Sequence, residues 1–396
     1  MDYQKLYPQI QEFVFQTKAN RQQWQITYQN CSDALCNYSD KVTELIQRID
    51  QIPVNQQKNL RCALPIQEQL DQSIILPKLD TMPTVLAADG SQILPDRHAP
   101  VYYGLINVGG FVFPGNPQTF PQTVQIPELI YGEQLENFSE ARLALQRDIH
   151  EREMLLNMGR TIQMPCVGLV DGPLEIWIGG SHSGGDQGDY QRSLNTYFHL
   201  LGDLYQQKIG LAGYIDRPES NYLVRLLEIA VATPEELQNL QRFHPFSGVS
   251  DVDILGALLK PTQRSALFSL YSQPNIQYPT HSQIGFFYIN VGSENHPWLG
   301  RVEVPAWVAQ EEQWLNLVHT MIVHQCQIMG KIAYPFALHR AHELAVVSNE
   351  EKDQITRWIL TEMQRSGLPI SSYSHKQELK NLPSRREWKN PLGGKM

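Results

Sequence analysis

Two Asp-Gly pairs in this 396-residue sequence each follow a short apolar run and have the chemistry to hold a cation. Asp89 follows VLAA and Asp171 follows VGLV, so each carboxylate is expected at the C-terminal end of a buried strand. Open α/β sheets present their ligand groups at that position. An unpaired carboxylate is costly to desolvate there, and a divalent cation bound by both would remove the cost. Ligation by oxygen alone is typical of Mg²⁺ or Mn²⁺.

A simpler interpretation exists for each pair, because Asp-Gly commonly forms a strand-ending turn in which the Asp side chain bonds its own backbone. A helix predicted between the two pairs, over 138–160, carries further carboxylates and favours the metal site instead. Its acidic residues are Glu140, Asp148, Glu151 and Glu153. Glu151 is the preferred ligand, and Glu153 is nearly as well placed in the sequence.

Histidine could complete such a site, since imidazole binds Mn²⁺ and can also transfer protons. The late histidines form two pairs, His319 with His324 and His339 with His342. Only the second pair, at a spacing of three, shares one side of a helix. Neither pair belongs to an HExxH motif, so a zinc site is not expected. The sequence also has no GxxxxGK[ST], GxGxxG or GxSxG motif, which disfavours an ATPase, a dinucleotide enzyme and an α/β-hydrolase.

Composition limits the class of protein further. Lys and Arg total 32 against 41 Asp and Glu, and this net charge of −9 argues against holding nucleic acid by bulk charge alone. A local basic surface remains compatible with it. No apolar window long enough for a membrane span occurs, and the N-terminus lacks the pattern of a signal peptide. The five cysteines include no CxxC, so we expect no disulfide framework and a cytoplasmic location.

Alternating strands and helices are predicted to position the candidate residues. A helical segment over 3–50 comes first, and the predicted strands and helices of the core then follow in the order 84–94 (ending in a turn at the first Asp-Gly), 101–113, 124–132, the helix 138–160, 164–177, the helix 191–208, and 211–216. This order indicates an α/β fold with a mixed sheet, in which the first three strands form a meander and the last two join as βαβ units.

Several short motifs occur in an order that resembles the NurA nuclease family. They are VLAADGS, the acidic helix, CVGLVDGPL, DVDILGALL with Arg264 after it, FFYINV, RVEVPAW and YPFALHRAHELA. The resemblance covers about residues 82–348 and implies a nuclease domain there with an RNase H-like mixed sheet flanked by helices. On this division, 1–75 is an N-terminal helical extension and 349–396 is a C-terminal helix followed by a basic polar tail.

The resemblance implies a metal-dependent nuclease that acts on DNA ends, with Mn²⁺ as the usual ion and Mg²⁺ as the other candidate. It further implies a hexameric HerA-type ATPase as partner in double-strand break resection, and a homodimer. The acidic surplus predicts weak DNA binding by the isolated chain, so the partner would deliver the strand. Two alternatives remain: a non-catalytic RNase H-like scaffold that regulates such an ATPase, and a phosphoesterase of small molecules.

Carried over residue by residue, Asp89 and Asp171 match the metal-binding Asp residues of the two Asp-Gly motifs, and His342 matches the late metal-binding or catalytic His. Glu151 would match the helix acid. The spacing from Arg147 to Glu151 departs by one from the R-x-x-E that the family leads one to expect, which leaves Glu153 as an alternative. In such a site the acids would hold two divalent ions about 4 Å apart for in-line attack on a phosphodiester.

Substrate contacts are implied less directly. Arg217, in YIDRPES, sits where the family tends to have a basic residue after a strand, and we assign it a phosphate contact; a surface Arg beside a turn is the alternative. Ser91 is a second candidate. The Gly-rich loop over 179–190 is either a gate beside Asp171 or a long surface loop, and the basic tail from His375 either contacts DNA or the ATPase or is a solvated terminus.

Overall fold

One mixed sheet organises the chain. The computed structural model describes residues 3–135, 139–162, 165–176 and 186–368, and in that part of the chain the sheet has eleven strands. The strands are β1 (Cys62–Pro65), β2 (Ser73–Ile74), β3 (Thr84–Ile93), β4 (Gly104–Phe113), β5 (Gln122–Ile130), β6 (Cys166–Asp171), β7 (Ile209–Ile215), β8 (Arg264–Ser265), β9 (Phe268–Tyr271), β10 (Ile284–Asn290) and β11 (Leu299–Pro305). Their order is β1-β9-β10-β11-β7-β6-β3-β4-β5, and the short strands β2 and β8 pair beside β10.

Helices flank both faces of this sheet. They are α1 (Tyr3–Tyr38), α2 (Val42–Asp50), α3 (Val54–Gln57), α4 (Glu140–Gly159), α5 (Asp186–Gln206), α6 (Tyr222–Val231), α7 (Pro234–Leu237), α8 (Asp251–Gly256), α9 (Gln273–Ile276), α10 (Ala306–Ala309), α11 (Glu312–Ile328), α12 (Phe336–Ala345) and α13 (Asn349–Arg365). Among the described residues, no helix combines the length and the apolar character needed to cross a membrane.

The predicted α/β class with a mixed sheet is confirmed. Strands β3, β4 and β5 form the expected antiparallel meander, and β6 and β7 add to β3 in parallel. The resulting order β5-β4-β3-β6-β7 is that of an RNase H-like core. Helix α4 begins after Ser139, whose side chain accepts a hydrogen bond from the Arg142 N–H, so the polar cap specifies where this helix starts.

One detail of the prediction is wrong: Asp89 does not end its strand. Strand β3 runs on to Ile93, and Asp89 is paired with Gly109 of β4 in the middle of the ladder. The local Asp-Gly signal for a turn is overridden because β4 offers hydrogen-bonding partners along the whole of β3. By contrast, Asp171 is the last residue of β6, as predicted.

The N-terminal segment is more than a helical extension. Its helices α1 and α2 pack on α6, but β1 and β2 join the sheet by pairing with β9 and β8. The domain boundaries therefore stay predictions. Helix α13 begins at Asn349, whereas most of the 179–190 loop and the basic tail from His375 lie outside the described residues.

Two glycines let helices approach the sheet at backbone distance. A Cβ on Gly109 would lie 2.4 Å from the Ala341 carbonyl oxygen of α12 and 2.7 Å from the Ala345 nitrogen. A Cβ on Gly110 would lie 2.9 Å from the Met154 side chain of α4. Because side chains alternate along a strand, α12 covers one face of β4 and α4 covers the other.

We predict that Gly109→Ala destabilises the protein by about 1–3 kcal/mol, since the added methyl meets helix backbone that cannot move without displacing α12. Urea unfolding measures the change. Gly256→Ala is the matched control, because nothing lies within 4 Å of its Cβ position. Equal stability of the two variants would show that α12 does not pack on Gly109 as described.

A buried histidine in α11 makes stability depend on pH. Burial lowers the pKa of His319 from 6.5 to about 4, and its Nε2 is 2.8 Å from the Thr262 carbonyl oxygen. The His319 side chain therefore binds a proton more tightly in the unfolded chain than in the folded one. The free energy of unfolding is unaffected by this group above pH 6.5 and decreases as pH falls towards 4.

We predict that His319→Gln, which retains a donor for Thr262, flattens this dependence. The difference in unfolding free energy between wild type and variant should change by up to about 3 kcal/mol between pH 6.5 and 4. Thermal unfolding across that range measures it, with the exposed His98→Gln as control. A difference that stays constant with pH would contradict the assignment.

Candidate active site

Asp89 and His342 are in direct contact although they are far apart in the sequence. The His342 Nδ1 lies 2.7 Å from Asp89 Oδ2, and Asp89 Oδ1 accepts a hydrogen bond from the Gly90 N–H at 2.9 Å. An ionised carboxylate only accepts, so Nδ1–H is the donor and Nε2 is left to accept a proton or a cation. Asp89 is only 9% exposed, whereas the His342 side chain is 56% exposed, so the pair opens to solvent on the histidine side.

Helix α12, which carries His342, is hydrogen-bonded to the sheet at its C-terminal end. The buried Asn107 of β4 donates its Nδ2 hydrogens to the carbonyls of Leu344 and Ala345, at 3.0 and 2.7 Å. The Ser91 hydroxyl of β3 donates to the same Ala345 carbonyl. These bonds satisfy carbonyls that a helix end leaves unpaired, and so fix where His342 points.

The predicted substrate role of Ser91 therefore gains no support, because its hydroxyl hydrogen is already used to hold α12. Sequence reasoning missed Asn107 altogether. The signal for it was present, since Asn107 is an amide inside the apolar run GLINVGGFVF.

Glu151 of α4 reaches the other face of β3 at Gly90, the residue after Asp89. A Cβ on Gly90 would lie 2.6 Å from Arg147 Cγ and 3.0 Å from Glu151 Oε1, so the glycine leaves room for both side chains. Glu151 Oε2 is 2.6 Å from Arg152 Nη1, and Arg147 Nε is 3.6 Å from Glu151 Oε1. Glu153, two residues further on the helix, faces a different direction.

Burial dominates the electrostatics of Glu151, which is only 4% exposed. Desolvation raises the pKa of this carboxyl well above its ordinary value, and Arg152 opposes the shift. The neighbouring carboxylates Asp148 and Asp89 raise the pKa further. A buried acid with two acids nearby is a place where a cation would be stabilising.

Asp171 closes the group at the end of β6. The nearby Tyr334 side chain lowers the pKa of Asp171, and sequence reasoning did not single out Tyr334 although it lies in the quoted motif YPFALHRAHELA. Although the residue as a whole is exposed, desolvation of the carboxyl raises the pKa of Asp171, the charge of Asp89 adds to this, and His342 opposes it. The pKa of Tyr334 is raised by burial and by Asp171.

The backbone after Asp171 is held by a buried acid. Glu303 of β11 is almost completely buried, and its Oε2 accepts from the Leu174 N–H at 2.8 Å and the Glu175 N–H at 3.3 Å. Arg301 Nη2 binds the other oxygen at 2.9 Å, and the Tyr197 hydroxyl donates to the Leu174 carbonyl at 2.8 Å. The RVEV motif thus has a positioning role: it fixes the turn that presents Asp171.

Asp89 thus interacts with the other three predicted site residues: it contacts His342 directly, and it interacts by charge with Asp171 and with Glu151, which lies on the opposite face of β3. No group of three or more His, Cys, Asp or Glu side chains is close enough to form a complete metal site within the described ranges. Carboxylate oxygens with one imidazole nitrogen nevertheless suit a divalent cation such as Mn²⁺. The donors fit the ion in kind, while protein partners now occupy Asp89 and Glu151.

Arg217 lies at the same edge, two residues beyond the end of β7. It has a φ of +46°, and its guanidinium stacks on the Trp298 ring. Its predicted phosphate contact stays a prediction.

Comparison with known proteins points to one family. The family model described as the NurA domain matches residues 83–347. Among solved structures, the NurA nuclease from Sulfolobus solfataricus is similar, with 13% identity, coverage of 91% of this chain and 98% of that chain, and a TM-score of 0.48. None of the curated proteins searched matches this chain. At so low an identity and TM-score the structural likeness supports no argument by itself, so the family rests on the domain match.

We predict that His342→Gln lowers the affinity for Mn²⁺ by about 10- to 100-fold, since the side chain is either a ligand or the partner that orients Asp89. Isothermal titration calorimetry measures it. His339→Gln is the control, because His339 is exposed on the same helix and contacts Glu343 instead. Equal Mn²⁺ affinity in both variants would remove His342 from the site.

Proposed function

The chain belongs to the NurA domain family, whose model spans more than half of it, and on that premise we propose that it is a metal-dependent nuclease that hydrolyses phosphodiester bonds at DNA ends. The single observation that carries the proposal is the meeting of Asp89 with His342 beside Glu151 and Asp171, inside the matched domain. Each of these residues comes from a different element of the core, so their convergence is a property of the fold.

In the proposed reaction Asp89, Glu151 and Asp171 would hold the cation. His342 would bind the cation or accept a proton through Nε2, while Asp89 fixes the orientation of the imidazole ring. A bound divalent cation supplies charge stabilisation at the phosphate and lowers the pKa of a water molecule. The exposure of His342 lets this imidazole exchange protons with solvent or substrate. Arg217 would contact a phosphate next to the one cleaved.

We further propose Mn²⁺ as the activating ion, with Mg²⁺ as the substitute. The proposed setting is double-strand break repair in the cytoplasm, which suits the five free thiols. A homodimer that works with a hexameric HerA-type ATPase is the proposed assembly. The net charge of −9 supports a partner that delivers the strand, since bulk attraction to DNA is lacking.

A second candidate is a non-catalytic scaffold that docks on such an ATPase and regulates it. One observation favours it: no three-donor metal group is formed by the described side chains as they stand. A scaffold predicts no Mn²⁺ binding and no cleavage by the wild type.

We predict that Asp89→Asn lowers cleavage of end-labelled linear DNA in Mn²⁺ by at least about 100-fold. Removing a residue that hydrogen-bonds a metal ligand typically lowers activity by about 10- to 100-fold, and removing the ligand itself should lower it at least as much. The amide retains the shape of the side chain, so the fold should survive. Asp203→Asn is the matched control, since Asp203 is exposed on α5. Time courses with Mn²⁺ or Mg²⁺, with and without a HerA-type ATPase, measure the rates. A folded Asp89→Asn variant that cuts as fast as wild type would exclude the assignment, and an inert wild type would favour the scaffold.

A further inference from the structure

Three residues beside the candidate active site form a stacked arrangement that the phosphate contact proposed for Arg217 does not by itself explain. The Arg217 guanidinium carbon lies 4.1 Å from the centroid of the Trp298 ring. The indole Nε1–H of Trp298 donates to Asp216 Oδ1 at 2.7 Å. We call Asp216, Arg217 and Trp298 the Arg-Trp stack.

The backbone of Arg217 adopts an unfavourable conformation to make this arrangement. Its φ of +46° is in the left-handed region, which residues other than glycine seldom occupy. Such outliers persist where the surrounding structure enforces them, and they cluster at functional sites. Here the conformation places the guanidinium over the face of an indole.

The Arg217 guanidinium is available to bind a ligand. Arg217 is exposed, and within the described part of the chain its charged group has the Trp298 ring as its contact and no hydrogen bond or ion pair. One face of the guanidinium is therefore covered by indole, while the other face and the N–H edges are open to a ligand.

Sheet register places the stack next to Asp171. Strand β7 runs parallel to β6 with Tyr214 paired to Asp171, so Asp216 and Arg217 follow at the same carboxyl edge. Strand β11 pairs Arg301 with Ile215, which brings Trp298, just before β11, beside the residues that follow β7. The charge of Asp216 also contributes to the raised pKa of Asp171, as expected for near neighbours.

A nucleotide matches the open groups of this stack. Guanidinium planes stack on nucleobases, and their N–H edges bind phosphate oxygens in pairs. Bases inside a duplex are already stacked on both neighbours, whereas an unpaired nucleotide can turn its free face and its phosphate towards this stack together. Stacking of this kind tolerates any base, which suits a nuclease without sequence preference.

We propose that the Arg-Trp stack is the subsite for an unpaired nucleotide adjacent to the phosphodiester that is cleaved, with Arg217 as the contact and Trp298 and Asp216 as the residues that position it. This rests on the proposed nuclease function and deepens it: the strand enters the site single-stranded at this point. Trp298 acts through Arg217, because the indole holds the guanidinium flat.

Three variants separate the contributions of the stack. Arg217→Gly suits the left-handed backbone and removes the cation, Arg217→Lys retains the charge without the plane, and Trp298→Phe retains a ring without the bond to Asp216. Matched controls are Arg365→Lys and Trp358→Phe, which change exposed residues of α13.

The first measurement is cleavage of a labelled single-stranded oligothymidylate in Mn²⁺. We expect KM to rise about tenfold in Arg217→Gly and Arg217→Lys, with kcat little changed, since one base-stacking contact is lost. Trp298→Phe should raise KM by less. The KM of the double variant Arg217→Gly/Trp298→Phe should equal that of Arg217→Gly alone, because Trp298 acts through Arg217. A tryptophan that only stabilised the fold would add an effect of its own. The melting temperature of Arg217→Gly should match that of wild type.

The second measurement is fluorescence anisotropy of the same oligonucleotide without divalent metal, over a range of salt concentrations. Loss of one phosphate contact in Arg217→Gly should reduce the slope of log affinity against log salt by about 0.7, whereas Trp298→Phe should leave the slope unchanged. The controls should behave as wild type in both assays.

Unchanged KM and unchanged affinity in Arg217→Gly, with an active wild type, would overturn the subsite and leave the nuclease intact. A wild type that binds the oligonucleotide through Arg217 but does not cut would overturn the nuclease and retain the subsite for an unpaired nucleotide. A wild type that neither binds nor cuts, with or without a HerA-type ATPase, would overturn both.

Discussion

A carboxylate buried inside the sheet is the constraint on which the site depends. Asp89 lies in the middle of β3, not at its end, so the imidazole that contacts it comes from a helix lying over the sheet. The glycines beside it make this feasible. Gly109 admits α12 on one face, and Gly90 admits Glu151 of α4 on the other. Two glycines that carry no functional group thus determine how closely the helices that carry the imidazole and a second acid approach the strand of Asp89.

The supporting contacts around this centre are polar and deeply buried. Asn107 donates hydrogen bonds to the end of α12, and Glu303 accepts hydrogen bonds from the turn after Asp171. Buried polar groups of this sort are costly unless every partner is in place, and once satisfied they hold one geometry. Such rigidity suits a site that must keep several acids together, because like charges push their side chains apart when no cation is bound.

Local patterns in the sequence predicted the strands that carry Asp89 and Asp171 and the helix that carries Glu151, since apolar runs and a Ser cap are properties of a few adjacent residues. The choice of Glu151 over Glu153 agrees with the position of Gly90, which no spacing rule could supply. Strands β1, β2 and β11 were not predicted, because short strands are stabilised by partners distant in the sequence. Tyr334, Asn107 and Glu303 were missed for the same reason: each acts on a segment that is more than 100 positions away.

The bond between His342 and Asp89 joins residues 253 positions apart. Chains are made from the N-terminus, and domains generally fold as units. A chain still on the ribosome can therefore contain all three acids while it lacks α12, the helix that covers β3 and β4 and brings the histidine. The group is complete only after α12 has been made and has packed on the sheet. For an enzyme proposed to degrade DNA, a product truncated before α12 would lack the histidine that contacts Asp89.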